Sequence, residues 1–142
     1  MKIIDIYTKF TVPPNLQEHI IRVASIAKFI EKHWTGNNKV DWNLTKKVAL
    51  LHDLGNIVVF DFEKHPEFLG KEQSNIKYWK RAQQEMISKY GSDDHETTKQ
   101  MLKEIGLEEG AINTIMGKSL GNAVAVKDSH NWPLKILFYA DL

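Results

Sequence analysis

Four side chains combine complementary chemistry with positions where an ionisable group is costly. His19 lies among Leu16, Ile20 and Val23, His52 and Asp53 are adjacent near the end of a strongly apolar segment, and Asp141 ends the apolar run 134–140. An isolated buried carboxylate is strongly disfavoured; it neutralises, pairs or binds a metal. Two imidazoles and two carboxylates drawn from three buried helices form a ligand set for one divalent cation. Nitrogen and oxygen ligation without sulfur suits Mn²⁺, Fe²⁺, Co²⁺, Ni²⁺ or Zn²⁺, with Mg²⁺ also open, rather than Ca²⁺. Each residue alone has an ordinary structural explanation as well. Taken alone, His19 reads first as a satisfied core histidine and Asp141 first as a solvated carboxylate beside the terminus, while His52-Asp53 reads equally as a pair capping a helix end.

The elements that must position these groups read as helices. Pro13-Pro14-Asn15 punctuates the chain, with Asn15 as a cap. Leu16, His19, Ile20, Val23, Ile26, Ala27 and Ile30 then recur at three- and four-residue steps, which predicts an amphipathic helix to about Trp34. A second helix is expected from about Asn43 to Leu54. It is apolar around most of its circumference, and so belongs inside a bundle. Gly55-Asn56 is expected to end it in a left-handed conformation. Residues 57–60, Ile-Val-Val-Phe, read as a short strand or extended turn, and His65-Pro66 as a loop. A third helix is expected over 71–89, with Ile76, Trp79, Met86 and Ile87 inward and Gly91 ending it. Asp93 and Glu96 read as a capping box for a helix that stops at Gly106. A further helix covers about 108–117, residues 120–130 read as a connector, and Pro133 opens a final helix. The expectation is one all-α domain over 1–142, a bundle of five to six helices.

Composition narrows the function classes. The chain has 142 residues, 42% of them hydrophobic, which is enough for one sizeable core without disulfides. With no cysteine, thiolate metal sites and cysteine nucleophiles are excluded, and a reducing cytoplasm is the compatible compartment. Net charge is +1 and the only arginines are Arg22 and Arg81. Lysines are scattered, so a nucleic-acid-binding surface is not expected. No segment reads as a signal peptide or membrane span, and no periodic seam specifies an oligomer.

The segments 16–23 (LQEHIIRV), 48–56 (VALLHDLGN) and 136–142 (ILFYADL) together resemble the HD superfamily. Its pattern is a histidine on one helix, a His-Asp doublet on the next and a distal aspartate. The resemblance covers about residues 15–142. It implies a helical core that binds one or two divalent metals and activates water against a phosphoester. Carried over by position, His19, His52, Asp53 and Asp141 are the metal ligands, and Asp53 also accepts a proton from the attacking water. Arg22, one turn after His19, either reaches a substrate phosphate or makes a structural salt bridge. His95 is expected near the site, with a solvated helix start as the alternative; His33 reads as a surface residue.

The match also departs from the family pattern. Many members carry lysine where this chain has Asn56, and some nucleotidases carry glutamate. Asn56 can hydrogen-bond substrate but brings neither positive charge nor a base. The Glu-Asp pair that follows the doublet in alarmone hydrolases is absent, as is the Gly-Tyr-Pro element of cyclic-dinucleotide phosphodiesterases, so neither activity is expected. Members with two metals need histidines beyond His95. Only His65 and His130 are candidates, both in expected loops, and residues 115–118 read Ile-Met-Gly-Lys where a later histidine would fall. One metal per chain is therefore expected. HD domains usually continue for another helix after the distal aspartate, so an end at Leu142 implies a trimmed chain or a loosely held fourth ligand. The resemblance thus points to a phosphomonoesterase or phosphodiesterase acting on a nucleotide or other small phosphorylated metabolite. The alternatives are an HD-fold di-iron oxygenase, which needs His65 and His95 to converge on the metal, and a non-catalytic nucleotide- or partner-binding module.

Overall fold

A computed structural model describes residues 1–142, the side chain of Leu120 excepted. The described residues form α-helices and short 3₁₀ segments, with no strand. The α-helices are α1 (Ile3–Lys9), α2 (Pro14–Lys32), α3 (Trp42–Leu51), α4 (Ile76–Tyr90), α5 (Asp94–Glu104), α6 (Glu109–Met116), α7 (Ala123–Asp128) and α8 (Trp132–Ala140). The all-α expectation holds, and the helices exceed the expected five or six. α1 was not anticipated, and α7 lies inside the expected connector. α2 starts at Pro14, so Asn15 is inside the helix rather than its cap.

Contacts divide the chain into two compact units, 1–19 with 53–106 and 20–52 with 107–142. In the first, Ile57, Val58, Phe62, Leu69 and Trp79 make a core against which Phe60, Phe68, Ile76, Met86 and Ile87 pack. Burying each such side chain contributes roughly 1.5–3 kcal/mol. Residues 57–59 belong to a 3₁₀ turn, Asn56–Val59, that Phe60 caps, and not to a strand. Their β-branched side chains favour a strand, but Gln83 Nε2 on α4 donates to the Ile57 and Phe60 carbonyls, both at 2.7 Å. That bonding does the work of a strand partner. The expected start of α4 at residue 71 is also corrected. Pro66–Asn75 is a 3₁₀ segment kinked at Gly70, where φ is +53°, and the α-helix begins only at Ile76. Asp93 caps α5 as expected, accepting from the Glu96 amide at 2.7 Å.

In the second unit, α3 packs against α6 and α8. Val48, Ala49 and Leu137 have no exposed surface, which fits an apolar helix at the centre of its neighbours. Asp41 caps α3 through the Leu44 amide at 2.9 Å, one residue earlier than expected. Asn131 caps α8 in the same way, through Leu134 at 3.1 Å. Trp34 packs edge-on against Trp42 and Trp132, with centroids 5.6 and 5.3 Å apart.

Candidate metal centre

In the first unit, α2 opens with Pro14, whose missing amide proton costs nothing in a first turn. Its register buries Leu16 and Ile20 and leaves His19 at the margin of that face, 28% exposed. Asp53 enters the same unit through the turn after α3. That turn is closed by the Asn56 amide on the Asp53 carbonyl at 3.1 Å. It is pinned to α5 by the Gly55 amide on Thr98 Oγ1 at 3.0 Å. Gly55 has φ −87°, so its expected left-handed stop is corrected. Glycine is needed there for space, because a Cβ would lie 2.6 Å from Thr98 N and 2.7 Å from Asp94 O. The result sets Asp53 Oδ2 3.5 Å from His19 Nε2.

In the second unit, His52 closes α3 with its side chain fully buried. Its Nδ1 lies 2.9 Å from the Ala49 carbonyl. A carbonyl only accepts, so Nδ1 carries a proton, and the ring is fixed with Nε2 directed at Asp141 Oδ1, 3.3 Å away. Nε2 then either donates to the carboxylate or offers its lone pair to a cation. Asp141 ends α8, where its amide donates to the Leu137 carbonyl at 3.1 Å. Its second oxygen, Oδ2, is ion-paired with Lys118.

Both His–Asp gaps exceed the usual 2.7–3.2 Å of a direct N–H···O bond. Two ligands of one cation bound at about 2.1 Å lie roughly 3.0–3.4 Å apart; the His52–Asp141 gap of 3.3 Å falls within that range and the His19–Asp53 gap of 3.5 Å just above it. His19, His52, Asp53 and Asp141 constitute a group that could hold a metal ion.

The remaining expected residues are placed as follows. Arg22 lies on α2 three residues after His19 and is exposed; Asn56 is half-buried at the start of the 3₁₀ turn that follows Asp53. His95 is exposed in the first turn of α5, the helix that Gly55 touches through Thr98 and Asp94. His65, a candidate for a second metal, instead ion-pairs with Glu67 at 3.0 Å on an exposed segment. His130 is exposed. Lys118, the ion-pair partner of Asp141, was not singled out from the sequence. A lysine after a short helix carries no local signal, and only the fold pairs it with Asp141.

No helix of the described residues is long and apolar enough to cross a membrane. The family model described as HD domain matches residues 16–116. That interval contains His19, Arg22, His52, Asp53, Asn56 and His95, and stops before Lys118 and Asp141. No curated protein and no solved structure matches the chain.

Proposed function

The chain belongs to the HD domain family, and from that premise we propose a metal-dependent phosphohydrolase acting on a nucleotide or other small phosphorylated metabolite. His19, His52, Asp53 and Asp141 are the ligands of one divalent cation. The observation that carries this reading is buried His52, whose committed Nδ1 turns Nε2 toward the Asp141 carboxylate at 3.3 Å. Asp141 lies outside the family match, so this contact supports it independently. When bound, the cation supplies Lewis-acid stabilisation of phosphoryl charge and a lowered water pKa.

The chain's own residues do the rest. Asp53, held by the turn that Gly55 pins to α5, accepts the proton of the attacking water. Asn56 hydrogen-bonds the substrate without adding charge, Arg22 takes a phosphoryl oxygen, and His95 borders the substrate. The separate ion pair of His65 with Glu67 supports one metal over two, and so a hydrolase over a di-iron oxygenase.

The test is a reconstitution screen. Chelator-free protein is loaded with Mn²⁺, Co²⁺ or Fe²⁺ and assayed for phosphate release from nucleotides and an aryl phosphate. Metal-dependent release that EDTA abolishes supports the proposal. Metal-loaded protein that releases no phosphate from any of these substrates counts against it.

A further inference from the structure

Asp141 is gripped from two sides by residues of its own unit. Oδ1 faces His52 Nε2, and Oδ2 holds the ammonium of Lys118. Neither partner is a loose surface group, since the Lys118 and Asp141 side chains are only 21% and 14% exposed. Lys118 is delivered there by the tight end of α6. At Gly117 a Cβ would sit 3.0 Å from Leu134 Cδ2, so the chain passes close against α8 before Lys118 turns to the end of that helix. The Lys118 amide, bonded to the Ile115 carbonyl at 3.1 Å, holds the turn. Beside the ion pair opens a cavity of about 310 Å³ lined by Lys118, Ser119, Phe138, Asp141 and Leu142.

We propose that this cavity receives the phosphoryl group of the substrate and that Lys118 is its anchor, with Asp141 orienting the ammonium. The inference rests on the metal-site proposal above and adds a cationic phosphoryl contact beyond Arg22. The charges argue for it. Two carboxylates cancel one divalent cation, so the ligand set alone is neutral toward an anionic substrate, and Lys118 makes it positive. A volume of about 310 Å³ is at the small end of the roughly 300–1,000 Å³ typical of ligand sites. Phe138 and Leu142 at its wall suit a compact, partly apolar body. The ligand class is therefore a small phosphomonoester rather than a polynucleotide.

The test compares wild type with Lys118→Met, which keeps the length of the side chain, and Lys118→Arg, which keeps its charge. Metal content after Mn²⁺ loading is measured by elemental analysis, and binding of inorganic phosphate to the loaded proteins by calorimetry. All three are expected to hold about one Mn²⁺ per chain. Lys118→Met should bind phosphate about ten- to a hundredfold more weakly, as expected for one lost charge-assisted hydrogen bond, and Lys118→Arg should recover most of that loss. Unchanged phosphate binding by a metal-loaded Lys118→Met overturns the anchor while leaving the metal site intact. Loss of metal from both variants, with wild type loaded, overturns it in favour of a purely structural role beside Asp141. A wild type that takes up no metal removes the underlying proposal, and this one with it.

Discussion

Gly55 provides a quantitative test of how the fold aims Asp53. Its backbone, at φ −87°, is one that alanine adopts readily. On conformational entropy alone, Gly55→Ala would stabilise the chain by about 0.4–1 kcal/mol. Space reverses the sign. The added methyl would meet Thr98 N at 2.6 Å and both Asp94 O and Thr98 Oγ1 at 2.7 Å. Two of those atoms are backbone and cannot rotate away, so the turn and α5 must separate. Overpacking of this kind costs about 1–3 kcal/mol, and losing the Gly55 amide bond to Thr98 Oγ1 adds about 1 kcal/mol. The net expectation is a loss of about 2 kcal/mol, or a Tm lower by roughly 5–8 °C for a chain of this size. Thermal melts followed by circular dichroism measure it. Gly55→Asn separates the steric cause from a left-handed one. Asparagine tolerates positive φ, so a left-handed glycine would accept it, whereas the contacts described here make it at least as damaging as alanine. Variants melting within about 1 °C of wild type would refute the close-approach argument.

Three further outcomes follow from particular groups. Glu104 is held down to about 2, first by the Tyr90 hydroxyl and then by Lys9 and Lys89. A depressed carboxylate adds stability above its unfolded value of about 4.5 that is lost as pH falls toward 2. Wild type should therefore outlast Glu104→Gln in melts at pH 6, and the two should converge near pH 2. Burial pushes the Tyr7 hydroxyl up to about 12, so its contribution is complete below pH 10 and is lost as pH rises through 12. Tyr7→Phe should then lose less stability than wild type between pH 10 and 12 in alkaline melts. Adding Mn²⁺ at about a hundred times its dissociation constant should raise wild-type stability by about 2.7 kcal/mol, and His52→Ala should show no such rise by calorimetry.

The parts of this protein legible in its sequence are those with local signals. The apolar spacing from Leu16 to Ile30 marked α2, Asp93 marked the start of α5, and the positive φ angles at Gly91 and Gly106, +96° and +72°, sit where breaks were expected. The motif residues gave the family. What escaped was set by distant partners. The run 57–60 looks extended until Gln83 claims its carbonyls. Gly55 looks like a left-handed stop until Thr98 is seen against it. α1 was not anticipated and is only seven residues long. Such a length is marginal in isolation, and α1 is secured by tertiary contacts such as Phe10 against Tyr90 at 6.2 Å. Lys118 meets Asp141 only through the packing of α6 and α8.

The central claim is the four-residue metal centre, and elemental analysis of chelator-free, metal-loaded protein tests it most directly. Wild type should hold close to one divalent ion per chain. His52→Ala, Asp53→Ala and Asp141→Asn should hold almost none while circular dichroism shows their helices retained. A wild type without metal, or variants that keep the full complement, would contradict the account.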